Sequence, residues 1–161
     1  MINTGVLLDY KWHRLARIWR TPVAGELFMR TVTRRLARLV LRHDNPGLDA
    51  YWVNQIAEHL LPAGTKHAVL RLYRSTRSVD MDALVEPLRN RDPETLVVFG
   101  ATDVYIPVEQ AERQRRVFPH ARVEILPGVG HWAWLEQPER VAGFVIPFRR
   151  ERVGMTTQKT N

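Results

Sequence analysis

The stretch Thr95–Gly100, with the sequence TLVVFG, decides the fold. It is a continuous apolar run that is rich in β-branched residues and bounded by turn signals, which is typical of a strand buried in a parallel sheet. Residues Ala121–Leu126 (ARVEIL) alternate in polarity, as expected for a strand near a sheet edge. Between them, a helix begins at Pro107 and ends before Pro119. The sequence therefore predicts a right-handed crossover that makes the two strands parallel neighbours.

The segments on either side of these strands have the apolar spacing of helices. A helix over Asp80–Arg91 precedes the first strand, and a helix over Glu136–Phe148 follows the second. Residues 1–79 contain short apolar stripes at helical spacing, with Pro and Gly at the joints, and no period-2 pattern. Such a segment favours a lid or a small irregular bundle rather than a sheet.

Composition and charge exclude several kinds of protein. The 161 residues include no cysteine, so a disulfide framework, a thiol nucleophile and a Cys-ligated metal are all ruled out. The net charge of +7 is uneven, because residues 1–79 hold 13 basic and 5 acidic residues. No signal peptide or membrane span is readable, so we expect a cytoplasmic protein that is not bound to a membrane.

The loops after the two predicted strands carry Asp103 and His131, which are 28 positions apart. Both loops should leave the same edge of the sheet, where open α/β folds bind ligands. A carboxylate that accepts a hydrogen bond from the imidazole Nδ1–H would make the pair a general base, with Trp132 as part of an apolar wall. The alternative is that Asp103 caps the next helix and that His131 is an ordinary loop residue.

Two stretches, LVVFGATDVYIP and ARVEILPGVGHWAWLEQPERVAGFVIPF, resemble the C-terminal end of α/β-hydrolase-fold enzymes. That family holds its catalytic acid in a G-x-x-D loop and its catalytic histidine in a G-H-x-x-x-x-E-x-P loop. The residues that match these motifs are Gly100, Asp103, Gly130, His131, Glu136 and Pro138. The resemblance implies that Asp103 and His131 are the acid and the base of a catalytic triad.

Residues 1–79 resemble the helical cap of the epoxide hydrolase and haloalkane dehalogenase branch, and residues 1–4 resemble the end of the strand before that cap. The resemblance thus implies an incomplete α/β-hydrolase fold in three parts: a cap over 1–79, the last β-α-β-α segment of the core over 80–150, and a polar tail over 151–161. By analogy with the cap tyrosines of epoxide hydrolases, Tyr51 and Tyr73 are candidate substrate contacts beside Trp132. The family needs no metal or organic cofactor.

The family's G-x-[SDC]-x-G nucleophile elbow is absent from this sequence, whose only serines are Ser75 and Ser78. We therefore expect the chain to be inactive alone, as a truncated product, a protein with a misassigned start, or half of a split enzyme. The nucleophile would be Asp for epoxides and haloalkanes or Ser for esters, and the substrate would be small and hydrophobic. The inner edge of Thr95–Gly100 should pair with strands that this chain lacks.

A competing hypothesis is a non-catalytic remnant or interaction module that docks through its open sheet edge, on an N-terminal half or a second copy, or through its basic cap. The predicted helix Met29–His43 is rich in arginine, which could bind an anionic partner. A solvated helix face is the favoured explanation, because arginine-rich helices with one apolar side are usually just amphipathic, and no zinc-ligand or RNA-binding motif accompanies it. We expect no nucleic-acid partner.

Overall fold

The computed structural model describes the backbone of residues 1–158 and the side chains of residues 1–77 and 80–151. The strands are β1 (Leu96–Gly100) and β2 (Arg122–Leu126). The helices in the described part are α1 (Arg14–Arg20), α2 (Ala24–Thr31), α3 (Arg34–Asp44), α4 (Ala50–His59), α5 (Ala63–Ser75), α6 (Ser78–Arg91), α7 (Glu109–Arg113), α8 (Ala133–Glu136) and α9 (Pro138–Gln158). A short 3-10 turn, Gln114–Arg116, extends α7.

The two predicted strands form a parallel sheet in which Val98 lies opposite Glu124. All five residues of β1 are buried, which fits a strand covered on both faces. The sequence analysis expected the other edge of β1 to be open within this chain. Ile2 lies at that edge instead and forms a parallel bridge with Val98. The first residues of the chain therefore occupy the position of a third strand beside β1.

Residues 1–8, which fall within the predicted cap range 1–79, pack against the sheet. Val6 and Leu8 pack in one apolar cluster with Phe99, on one face of β1. The buried Gln114 fixes this segment, since its side-chain amide accepts from Val6 N (2.9 Å) and donates to Val6 O (3.0 Å). The first residues thus lie beside β1, and the segment that contains Val6 and Leu8 packs on the sheet before the chain reaches α1.

The cap helices form a separate cluster that also contacts the loop after β2. Helices α3 and α4 pack through Leu41 and Val53, against which Trp132 and Leu135 also lie. The predicted helix Met29–His43 is broken, because the backbone of Val32 is extended and Thr33 caps α3 instead. The contact with Trp132 brings the cap next to the end of the sheet.

The last described helix is longer than the sequence predicted. Helix α9 does not stop near Pro147 but continues from Pro138 to Gln158, so that residues 151–158 are helical. The prediction for residues 159–161 lies outside the described residues. The inner face of α9, with Val141 and Phe144, packs on the second face of the sheet, against Val98 and Leu126.

Gly100, the last residue of β1, lies too close to the next loop for any side chain. An added Cβ would overlap the backbone carbonyl oxygens of Gly130 and Val129. Gly100→Ala should therefore lower the free energy of unfolding by about 3 kcal/mol, because backbone must move. Urea denaturation measures this change, with Gly143→Ala as the control.

Gly143 lies inside α9, and the position that a Cβ would take there has no heavy atom within 4 Å. Alanine at this position should raise the free energy of unfolding by about 0.5–1 kcal/mol, because it favours the helix. Equal effects of the two substitutions would contradict the close approach at Gly100.

Candidate active site

The structure brings Asp103 and His131 together at the carboxyl end of the sheet, as the loop positions predicted. The Nδ1 atom of His131 lies 2.7 Å from Oδ2 of Asp103. The Asp103 side chain is completely buried, whereas that of His131 is 23% exposed. Because Nδ1 is directed at the carboxylate, Nε2 on the opposite side of the ring is the nitrogen that remains for proton transfer.

The carboxylate of Asp103 also closes a turn, but it does not cap the next helix as the alternative interpretation proposed, because Val108 is the residue before α7. Its Oδ1 atom accepts hydrogen bonds from the backbone N–H groups of Tyr105 (2.8 Å) and Ile106 (2.9 Å). Its Oδ2 atom accepts from His131 and from the side-chain amide of Asn3, at 2.9 Å. Four donors therefore surround this carboxylate, and the turn contacts and the contact with His131 use different oxygens.

These contacts keep Asp103 ionised despite its burial. Burial alone would raise the pKa of the Asp103 carboxyl, but the hydrogen bond and the positive charge of His131 oppose it. Hydrogen bonds from Ile106 N–H and Asn3 add to this effect, and the net result is a pKa below the usual value of 3.8. A carboxylate held in this state can fix the imidazole tautomer and stabilise an imidazolium.

A cavity of about 670 Å³ lies between the cap helices and the end of the sheet, and His131 lines it. The cap contributes Trp12, Trp19 and Tyr73, whose rings pack edge-on or tilted against one another. Trp132 lies beside His131 on the core side, with ring centroids 5.2 Å apart. The chamber therefore combines a polar pair at one end with mostly aromatic and aliphatic walls.

Of the two tyrosines that the resemblance implied as substrate contacts, one lines the cavity and the other does not. Tyr73 lines the cavity, and burial raises the pKa of its hydroxyl. Tyr51 is 58% exposed on α4, packs edge-on against Trp52 and is not part of the cavity wall. Trp132, the third predicted contact, does line the cavity. Both tyrosines follow the same helical spacing, so the sequence could not distinguish them.

His13 is a cavity residue that the sequence analysis did not select. Its Nδ1 atom caps α1 by accepting from Ala16 N (3.3 Å), so Nε2 carries the proton and approaches the hydroxyl of Tyr73 (3.4 Å). Burial and the positive charge of His131 lower the pKa of His13, although Asp44 and Asp103 oppose them. In the sequence, only its place next to Trp12, in a segment rich in aromatic residues, could have indicated that His13 lines a cavity.

Tyr105 joins the acid loop to the cap. Its hydroxyl donates to Oδ2 of Asp44 (3.0 Å), at the end of α3, and its ring lies 5.0 Å from that of His131. Burial and the negative charge of Asp44 raise the pKa of this hydroxyl far above its usual value. The side chain of Asn45 also approaches the hydroxyl, at 3.4 Å. The Tyr105 side chain therefore connects the Asp103 loop to the end of α3.

Ser75, the one serine whose side chain the structure describes, is not part of this site. Ser75 Oγ donates to Leu72 O (3.0 Å) at the exposed end of α5, and Ser75 is not among the residues that line the cavity. Within the described residues, no group of three His, Asp or Glu side chains is arranged to hold a metal ion. None of the described helices combines the length and apolar character that crossing a membrane would require.

Helices packed over the carboxyl end of a parallel sheet are the architecture that the two motifs predicted. A family model described as "Alpha/beta hydrolase family" matches residues 2–144. The chain therefore belongs to the alpha/beta hydrolase family, and the predicted family and fold class are confirmed.

Two relatives match parts of the chain. One is the 2-hydroxy-6-oxo-6-(2'-aminophenyl)hexa-2,4-dienoic acid hydrolase of Metapseudomonas resinovorans, which is 35% identical over 71 residues, or 44% of this chain and 24% of that protein. The other is the sn-1-specific diacylglycerol lipase ABHD11 of Mus musculus, which is 27% identical over 81 residues, or 48% of this chain and 26% of that protein.

Solved structures show the same fold over nearly the whole chain. The 2-hydroxy-6-oxo-6-phenylhexa-2,4-dienoate hydrolase of Rhodococcus sp. strain RHA1 aligns with a TM-score of 0.69 at 16% identity, covering 92% of this chain and 53% of that one. A laboratory-evolved potato epoxide hydrolase aligns with a TM-score of 0.65 at 13% identity, covering 93% and 60%. The chain thus spans only about half the length of these structures.

Proposed function

We propose that this chain supplies the cap and the acid–base pair of a hydrolase that works through a covalent intermediate. In this proposal the nucleophile on the missing part of the fold attacks the substrate, and His131 then activates the water that releases the product. Asp103 holds the imidazole in the tautomer that leaves Nε2 able to accept a proton. The observation that carries the proposal is the buried Asp103–His131 contact at the wall of the cavity.

The cavity favours a small hydrophobic substrate. Its aromatic walls would bury apolar groups, with Trp132 beside the base and Tyr73 on the cap side as a hydrogen-bond donor. The similar proteins are named as dienoate hydrolases and an epoxide hydrolase, so both a dienoate and an epoxide are candidate substrate classes. The nucleophile, Ser or Asp, decides between these reactions, and it does not lie in this sequence.

The proposed partner is a nucleophile-bearing N-terminal half that continues the sheet beside residues 1–3. Those residues already pair with β1 on one side through Ile2 and Val98, which leaves their other side as the next edge of the sheet. A second copy of this chain is the competing occupant of that edge. Size-exclusion chromatography of the chain alone distinguishes these two occupants. A stable homodimer would favour a second copy at this edge and hence a non-catalytic interaction module.

The chain alone is expected to hydrolyse p-nitrophenyl esters and styrene oxide no faster than buffer does. A His–Asp pair without a nucleophile and an oxyanion hole lacks the groups that form the covalent intermediate. Product release followed by absorbance and chromatography measures this rate. Turnover that is well above buffer and disappears in His131→Ala would contradict the proposal.

Joining the chain to the missing half tests the positive side of the proposal. The N-terminal half of the Metapseudomonas resinovorans hydrolase, fused before Met1, would supply a nucleophile and the preceding strands. We expect this joined protein to hydrolyse a p-nitrophenyl ester or the relative's dienoate substrate, whereas neither half does so separately. A joined protein that is folded by circular dichroism but hydrolyses neither substrate would contradict the proposal.

A further inference from the structure

Asn3 is a buried amide whose hydrogen bonds meet at the acid–base pair. Its Nδ2 group donates to Oδ2 of Asp103 (2.9 Å) and to the carbonyl oxygen of Gly130 (3.2 Å). Its Oδ1 atom accepts from the backbone N–H of Gly100, at 3.4 Å. Both amide hydrogens and the amide oxygen are thus used, and the residue is only 2% exposed.

These three partners lie at the end of β1 and on the two loops that carry the acid–base pair. Gly100 ends β1 and precedes the acid loop, while Gly130 comes directly before His131. The carboxylate oxygen that Asn3 contacts is the same oxygen that His131 contacts. One amide therefore fixes the distance between the carboxylate and the loop that carries the imidazole.

We propose that Asn3 is a positioning residue for the Asp103–His131 pair, which its amide holds by binding the shared carboxylate oxygen and the carbonyl before His131. The inference rests on the proposed function for its catalytic meaning, but it concerns the geometry of this chain itself. Asn3 touches neither a reacting atom nor the imidazole, so it acts through Asp103.

The residue type fits this role for two reasons. An amide offers the two donors that a carboxylate and a carbonyl oxygen require, whereas Asp at this position would place a second negative charge near Asp103. The backbone of Asn3 is left-handed, with φ of 45°, a region that Asn and Gly adopt more readily than other residues. Asn3→Gly therefore removes the amide and keeps the backbone conformation.

The test is NMR spectroscopy of the whole chain, which needs no hydrolysis. In Asn3→Gly the pKa of Asp103, followed by its carboxyl ¹³C resonance, should rise by roughly one pH unit, since a donor to the charged form is lost. The low-field Nδ1–H proton of His131 should also shift or broaden by exchange. Asn3→Asp is the second variant, and it should raise the pKa of Asp103 further.

Gln114→Ala is the matched control, because Gln114 is also a fully buried amide that binds backbone groups near the start of the chain. It should destabilise the fold yet leave both the Asp103 pKa and the His131 proton at their wild-type values. Equal changes in Gln114→Ala and Asn3→Gly would overturn the proposal, because the site would then follow general packing.

Unchanged Asp103 and His131 signals in a folded Asn3 variant would also overturn it. Failure of both Asn3 variants to fold, with Gln114→Ala still folded, would assign Asn3 a structural role and reject positioning. An inactive joined protein in which the Asn3 effects on the NMR signals persist would contradict only the hydrolytic function. The two proposals therefore fail separately.

Discussion

In the joined protein, His131→Ala is expected to reduce kcat/KM on the order of 10⁵-fold or more, and Asp103→Asn about 10⁴-fold. Alanine removes the base itself. Asparagine keeps the shape but directs an NH₂ group at Nδ1, so the imidazole takes the tautomer with its proton on Nε2 and cannot accept another there. Steady-state rates over a range of substrate concentrations measure both effects.

A second His–Asp contact in the chain provides the matched control. His120 Nδ1 contacts Asp92 Oδ2, but the His120 side chain is 85% exposed, and neither residue lines the cavity. His120→Ala should change kcat/KM less than about twofold, since an exposed pair of this kind contributes little. If His120→Ala and His131→Ala had similar effects, or if Asp103→Asn kept the wild-type rate, the assignment of the acid–base pair would be wrong.

Asp103→Ala should also lower the free energy of unfolding of this chain, by about 3–5 kcal/mol, because it removes a buried carboxylate that accepts four hydrogen bonds. The substitution leaves four buried or half-buried donors without their acceptor, among them the backbone N–H groups of Tyr105 and Ile106. Asp103→Asn keeps an oxygen for those two backbone donors and should cost about half as much. Urea denaturation at pH 7 measures both.

The pH dependence gives the same prediction a second check. Because the pKa of Asp103 is lower in the folded chain than the ordinary value of 3.8, its contribution to stability is complete well above pH 3.8. It is lost as the pH falls below that value and through the folded pKa. The difference between wild type and Asp103→Ala should therefore shrink in acid.

The exposed ion pair of Arg77 and Asp80, at 3.2 Å, is the control for this prediction. Asp80→Ala should change the free energy of unfolding by less than about 1 kcal/mol, since solvent screens such pairs. If Asp103→Ala lowered the free energy of unfolding no more than Asp80→Ala does, the hydrogen bonds described for the buried carboxylate would not stabilise the fold.

The sequence predicted those parts of the molecule in which local pattern and fold coincide. The apolar run of β1, the alternation in β2 and the turn residues after each strand placed Asp103 and His131 at the same edge of the sheet, and the resemblance of their two motifs to those of the family favoured their pairing. The bridge of Ile2 to Val98 was not predicted as such, because a short strand segment carries too few residues for a periodic signal. Helix ends were not predicted in the same way. The break at Val32, for example, depends on a capping contact that the amino-acid composition of the segment does not specify.

Asn3 and His13 were missed for a related reason. Asn3 meets Asp103 across 100 positions of sequence, and His13 faces the cavity only because α1 packs against α5. Asn3 has no neighbour in sequence that marks it as part of a site, and for His13 the only such neighbour is Trp12. Tyr51 shows the opposite error, since the helical spacing that favours a buried ring also fits a ring on the solvent side of α4.

The long separation between Asn3 and Asp103 also determines when the pair can assemble on the ribosome. At about 5–20 residues per second, Asn3 is made roughly 5–20 seconds before Asp103 exists, and His131 follows later still. Until then Ile2 cannot pair with β1, while the helices from α1 onward can already form from local contacts. Ordering of the acid–base pair therefore waits until residue 131 has been made, and chaperones would meet the segment around Asn3 before β1 can pair with it.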